Sequence, residues 1–216
     1  MKRVQRQWQR LWLRSGVRKG AQVCFWSGAG FFLSAAGIGG ACQPVALGLL
    51  CALSDWRVLA AGAGALVGYP VFWGAQGVTG MLWAVFGTVM GWVFAGQKEV
   101  KTHPLLPGFA GVLTAVTGLV WQIAAGDGPP FGVFALRVPV AFGSVWLFRR
   151  WQQRREPLME WCVGAVAVFA LAQAAPLPWL SPGFLAAGTL GAGSALPGAV
   201  LAGLGLDLAK VSALPM

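Results

Sequence analysis

Charge is what this chain has least of. Of its 216 residues only 10% are Asp, Glu, Lys or Arg, against about 25% in an ordinary soluble domain. That shortage, with 57% hydrophobic residues and a mean hydropathy of +0.67, excludes a soluble enzyme and describes a chain solvated by lipid. Histidine is scarcer still. The single one, His103, falls in the polar stretch Gln97–Pro104 with no other ligand type nearby, which argues against a metal role. No Ser/His pair, paired aspartates or His-Glu-x-x-His run supports an intramembrane enzyme. The cysteines Cys24, Cys42, Cys51 and Cys162 lack Cys-x-x-Cys spacing, so they read as small buried hydrophobes and not as a disulfide or metal framework. Gly62-Ala-Gly64-Ala-Leu-Val-Gly68 lacks the Lys-Ser/Thr of a phosphate loop and follows no strand; helix packing explains it better. Period-2 alternation is missing too, which excludes a membrane β-barrel.

What is there is a series of continuous apolar runs, at 22–40, 44–54, 57–69, 75–95, 105–125, 131–148, 158–175, 182–194 and 197–209. They predict an all-α fold: a polytopic transmembrane helical bundle with short paired helices, half-spanning or re-entrant. Segments 44–54 and 57–69 reach only roughly 16–20 Å at 1.5 Å per residue, against a bilayer core of about 30 Å. Segments 182–194 and 197–209 are equally short. Ser54 or Asp55 is placed to cap the helix that follows the first break, and Pro197 suits the first turn after the second. A full-length run followed by two short ones occurs at 22–69 and again at 158–209, with Pro44 and Pro182 opening corresponding elements, as in an internal repeat. The 32 glycines point to close helix packing. Gly64-Ala-Leu-Val-Gly68 and Gly87-Thr-Val-Met-Gly91 fit the small-xxx-small pattern that also serves oligomerisation.

Residues 1–20 hold seven of the 16 cations (Lys2, Arg3, Arg6, Arg10, Arg14, Arg18 and Lys19) and no acid. Val4, Trp8, Leu11 and Trp12 share one helical face, with Arg3, Arg6, Gln7, Arg10 and Arg14 mostly on the other. Such a basic amphipathic segment suits anionic lipid better than nucleic acid. The domain division is therefore 1–20, a cytoplasmic basic segment, and 21–216, a multi-helix membrane domain with an uncleaved first helix. The chain ends in Val-Ser-Ala-Leu-Pro-Met216 with no closing polar tail, which reads as cut and not finished.

The positive-inside rule orders the spans. With the N-terminus cytoplasmic, segments 44–54 and 57–69 must act as a hairpin, returning the chain to the outside near Tyr69. Segment 75–95 then brings Lys98 and Lys101 to the cytoplasm. Segments 105–125 and 131–148 place Asp127-Gly-Pro-Pro130 outside and Arg149, Arg150, Arg154 and Arg155 inside. A single crossing over 44–69 would put both basic loops outside. The run Arg149–Arg155 is a candidate surface for anionic lipid and, more sharply, for an acidic partner.

Ionisable groups at membrane depth are costly and become candidates for function. Arg137 is the foremost, roughly 9 Å into its segment and beside the helix-kinking Pro139. Asp55, Arg57 and Asp207 are its candidate partners; a snorkelling or structural role for Arg137 and a turn-closing role for Asp55 and Arg57 are the simpler assignments. Gln76, Gln122 and Gln173 are candidates for interhelical hydrogen bonds.

The stretch Gly28-Ala-Gly-Phe-Phe-Leu33, Gln43-Pro-Val-Ala-Leu-Gly-Leu-Leu-Cys-Ala-Leu53 and Val58-Leu-Ala-Ala-Gly-Ala-Gly-Ala-Leu-Val-Gly68 resembles the membrane region of stage II sporulation protein E. The run from Leu196 through Asp207 is similar to a later part of that region. The resemblance implies a membrane region ahead of a cytoplasmic, Mn/Mg-dependent serine/threonine phosphatase that acts on an anti-sigma-factor antagonist at the division septum. None of the phosphatase aspartates falls in this chain, so no catalytic residue and no cofactor is expected here. The implied role is membrane anchor and oligomerisation or localisation region, with anionic lipid, further copies of the chain and a cell-division protein as partners and no nucleic acid. The alternative is a small transporter or channel with a midplane site near Arg137; no coupling-ion cluster of carboxylates accompanies it.

Overall fold

The structure, a computed structural model, describes residues 15–94, 97, 103, 105–125, 131–154 and 156–174. The expected amphipathic helix at 2–14, Lys98, Lys101, the turn Asp127–Pro130, Arg155, the short segments 182–194 and 197–209 with Pro182 and Pro197, and Asp207 all lie outside these residues. The described chain is all-α apart from one two-stranded turn. Helix α1 is Ser15–Leu33, followed by β1 at Gly37–Ile38 and β2 at Ala41–Cys42. Then come α2 at Val45–Ala52, α3 at Trp56–Trp73, a 3-10 turn at Gly74–Gln76 and α4 at Gly77–Val93. Helices α5 at Leu105–Ala125, α6 at Phe131–Gln153 and α7 at Pro157–Ala174 complete it.

Three boundaries differ from the sequence expectation. The run 22–40 is not one helix. Helix α1 starts earlier, at Ser15, and so crosses the expected domain boundary at residue 20; it ends at Leu33. The chain then reverses in a hairpin that pairs Gly37 with Cys42 and Ile38 with Ala41. The connecting Gly39 and Gly40 have φ of 60° and 74°, which a two-residue type I′ turn requires and which only glycine adopts without strain. Second, the short pair 44–54 and 57–69 is unequal. Helix α2 has 8 residues, but α3 runs past Pro70 to Trp73 for 18 residues, roughly 27 Å. Pro70 lies in the last turn of α3, so it removes one hydrogen bond without ending the helix. Third, Asp55 occupies the N-cap position of α3, but neither it nor Ser54 caps by side chain. Asp55 instead takes φ of 68° to turn the chain.

Close approaches fix the directions of the helices. Gly64 of α3 has the Ser27 carbonyl where a Cβ would stand, and Gly68 has Phe31 and Ser34, so α1 and α3 run parallel. Helices α3 and α4 are antiparallel: Val58 meets Gly91, Gly62 meets Thr88 and Tyr69 meets Gly80. Leu47 and Leu50 of α2 pack on Gly87, and Leu50 again on Gly91, which aligns α2 with α4. Gly48 of α2 sits on Ser144 of α6. Both small-xxx-small motifs are therefore consumed inside the protein and present no face to another copy. Residues Val45 to Cys51 of α2 are all buried; it is a short apolar helix enclosed on every side.

The helical stretch Trp56–Val93 is long and apolar enough, by length and composition, to cross a membrane; within it α3 and α4 fold back on each other. The outer surface of the bundle is apolar, with Val67, Val71, Leu82, Val85, Val89, Val112, Val116 and Leu119 all exposed. The inside holds the polar exceptions, among them Ser34, Gln43, Thr79, Thr114, Arg137 and Ser144.

Candidate functional site

The hairpin between α1 and α2 lies at the end of the bundle where α3 turns into α4, and its backbone polar groups cannot pair within so short a ladder. Side chains from later helices pair them instead. Trp73 of α3 donates its indole N–H to the Ser34 carbonyl at 2.9 Å. Tyr69, also of α3, donates its hydroxyl to the Gln43 carbonyl at 3.3 Å. Gln173 of α7 accepts from the Gly37 N–H at 2.7 Å and donates to the Gly37 carbonyl at 2.8 Å. Arg137 of α6 donates from Nε to the Cys42 carbonyl at 3.2 Å. Irregular backbone is tolerated away from water only where protein satisfies it in this way.

Arg137 is the centre of the site. It is 3% exposed. Its Nη2 lies 3.8 Å from the Cys42 sulfur, and the thiol in turn donates to the Gln76 carbonyl at 3.6 Å. The guanidinium lies 5.3 Å from the Trp83 ring centroid, in cation–π range. Trp83 is held by its indole N–H on Thr117 Oγ1 at 2.7 Å and by an edge-on contact with Tyr69. The acceptors that described residues offer Arg137 are thus a carbonyl, a thiol and a π face, all neutral.

The described candidates for its partner, Asp55 and Arg57, are not there. Asp55 and Arg57 lie at the other end of α3, twelve or more residues from Tyr69 and so roughly 18 Å away along the helix. Arg57 stacks on Trp26 at 5.9 Å. Asp207 lies outside the described residues. Arg137 neither snorkels nor forms an ion pair with any described residue; the polar groups it meets are those of the hairpin. Among the glutamines, Gln173 does bridge elements, though to backbone; Gln76 enters through its carbonyl, and the side chain of Gln122 lies outside what is described.

A second cluster lies at the opposite end. Arg149 donates to the His103 carbonyl at 2.9 Å, which brings the start of α5 and the end of α6 together. Arg150 and Arg154 approach Glu156 at 3.7 and 3.6 Å, and Arg150 lies 5.7 Å from the Trp146 ring centroid. Arg155 is outside the described residues. Arg18, Lys19 and Arg57 belong to the same end, since α1 and α3 start there in parallel. Among the described residues every Lys and Arg except Arg137 therefore sits at one end of the bundle.

The roles of Cys42, Gln43, Tyr69 and Trp83 are not legible in the sequence. Cys42 and Tyr69 look like ordinary apolar-run residues. Only Gln43, a lone amide between two apolar runs, carried a signal. Comparison of the chain with protein-family models, with curated proteins and with solved structures gives no match.

Proposed function

We propose that the chain is a multi-pass domain of the cell membrane with its N-terminus cytoplasmic. In this reading it serves as an anchor and localisation region, as the resemblance to the membrane part of a stage II sporulation protein E-like phosphatase implies. One observation carries the membrane assignment: the bundle is apolar on its outside as well as in its core. Large apolar side chains are exposed along α3, α4 and α5, a few polar ones are buried, and the described cations other than Arg137 are gathered at one end. Lipid solvates such an outside, and the positive-inside rule puts such an end in the cytoplasm. Helices α1 and α3 run parallel while α2 runs the other way alongside α4, which supports the hairpin reading of 44–54 and 57–69. Anionic headgroups are the partner that the Arg149–Arg154 cluster and the basic residues 1–20 would attract. A homo-oligomer would form through the outward apolar sides of the helices, because the Gly64–Gly68 and Gly87–Gly91 faces are occupied internally; a cell-division protein remains a partner by resemblance. The metal-dependent phosphatase chemistry of that family would reside outside these residues.

Topology tests the membrane part. Cysteine introduced next to Arg154 should react with a membrane-impermeant maleimide only after the cells are opened. Labelling in intact cells would overturn the assignment. The anchor role is tested by the size of the native product on an immunoblot against residues 1–20. A product much larger than 22.6 kDa supports an anchor for a further domain; one of that size argues for the second reading.

That second reading, a small transporter or channel, is favoured by Arg137, a buried cation beside non-helical backbone. Under it Arg137→Leu abolishes solute flux at unchanged protein level, whereas an anchor keeps its localisation.

A further inference from the structure

No described residue balances the charge of Arg137. An arginine guanidinium stays protonated inside proteins. A buried charge is costly unless it is paired as well as hydrogen-bonded. Here the hydrogen bonds exist, and no described residue supplies the pairing. Of the acidic residues among those described, Asp55 is at the other end of α3, Glu156 is engaged by Arg150 and Arg154, and Glu160 is exposed in the first turn of α7. Nε and Nη2 reach Cys42, while Nη1 has no hydrogen bond to any described residue. The outer edge of the fork, Nη1 and the second Nη2 hydrogen, is thus the free one.

A second, independent observation lies one residue along the chain. Gln43 is 0% exposed, and both its side-chain oxygen and its side-chain nitrogen are buried without a hydrogen-bond partner. A buried amide left in that state is destabilising. Replacing it with an apolar residue of similar shape would be better for stability alone, so its retention needs another reason. Its backbone carbonyl takes the Tyr69 hydroxyl, and Tyr69 packs edge-on against the ring that Arg137 overlies. Arg137 and Gln43 thus act on the same dipeptide, one with spare cationic donors and the other with a spare amide.

We infer that Arg137 and Gln43 form a binding site for a small monovalent anion, of the size of chloride or formate. The guanidinium supplies the counter-charge and a fork suited to a carboxylate edge. The Gln43 amide supplies a further neutral donor, and Trp83 forms one wall. The packing beside the site is tight: a Cβ on Gly80 would already strike the Tyr69 ring. The inference is independent of the anchor reading and does not require that the anion crosses the membrane.

The test uses the full chain in dodecyl maltoside micelles, with the thermal unfolding midpoint read at constant ionic strength. Sodium gluconate, too bulky to enter, is replaced stepwise by sodium chloride or sodium formate. A ligand that binds the folded form alone raises the midpoint saturably. The expected rise is about 3–5 °C. Gln43→Leu should unfold at a higher temperature than wild type in gluconate, yet respond to chloride and formate at least about tenfold more weakly. Arg137→Lys, which keeps the charge but loses the fork, should lose the formate response more than the chloride response. A wild-type midpoint equal in all three anions overturns the inference. So does an undiminished response in Gln43→Leu, which would mark a general salt effect. A response that appears only in Asp207→Asn or Asp127→Asn would give the counter-charge to the chain itself and overturn it as well.

Discussion

The side-chain amide of Gln173 pairs with the backbone of Gly37 through both its edges, at 2.7 and 2.8 Å, across 136 residues of sequence. It does for this hairpin what a neighbouring strand would do in a sheet: it takes one donor and one acceptor that the two-residue ladder leaves over. Gln173→Leu removes both bonds while keeping the volume. The expected loss is about 2–4 kcal/mol, since two buried backbone groups are left unpaired. It should be visible as an earlier unfolding transition in detergent and as faster proteolysis near residues 34–44. An unchanged transition would mean that the hairpin holds without α7.

The packing of α1 on α3 predicts a contrast between two glycines. Gly64 has the Ser27 carbonyl in the place of a Cβ, whereas Gly28 has nothing within 4 Å. Gly64→Ala should cost about 1–3 kcal/mol or more, because backbone must move. Gly28→Ala should be neutral or stabilise by up to about 1 kcal/mol through helix propensity. Thermal midpoints of the two variants, measured side by side, check this.

Trp83 and Thr117 predict an energetic coupling between α4 and α5. The indole N–H donates to Thr117 Oγ1 at 2.7 Å, and Trp83 is fully buried. Thr117→Val keeps the shape and strands the N–H, for a cost of about 1–3 kcal/mol. In a Trp83→Phe background the same change should cost much less. A double-mutant cycle reads the difference directly, and additive effects would show that the bond contributes nothing.

The basic end should behave differently. Glu156 is only 40% exposed at its side chain but sits between Arg150 and Arg154 at 3.6–3.7 Å, with both arginines more open to water than a core pair. Glu156→Gln should change stability by less than about 1 kcal/mol, with a smaller effect at 0.5 M salt than at low salt. Adsorption to anionic vesicles should rise, since the end gains a net positive charge.

Much of the helical layout is legible in the residues. The runs 75–95, 105–125 and 158–175 fall within two residues of α4, α5 and α7, because an apolar run of that length has few other conformations open to it. The hairpin at 37–42 is not legible. Gly-Ile-Gly-Gly-Ala is as apolar as its surroundings, and only the paired glycines hint at a reversal. Pro70 looks like a terminator but costs one bond near an end. Arg137 stands out as an ion in an apolar run, yet its partner does not: the Cys42 carbonyl is a backbone atom, and residue identity says nothing about which carbonyl a distant arginine will meet. For the same reason a search for a carboxylate leads to Asp55, which lies at the other end of α3, or to Asp207.

The hairpin is drawn from the first quarter of the chain, and its polar groups are satisfied by residues 95 and 136 positions further on. A ribosome makes the lock long before the keys. While α3 to α5 are being threaded, Tyr69 and Trp73 can answer only the Gln43 and Ser34 carbonyls, and the Cys42 carbonyl and Gly37 groups that Arg137 and Gln173 will take must turn to water. The segment before α2 should therefore stay pliable until α6 and then α7 arrive, and a nascent chain arrested short of residue 173 should expose it to protease. Completion of this domain is in that sense scheduled by its last described helix.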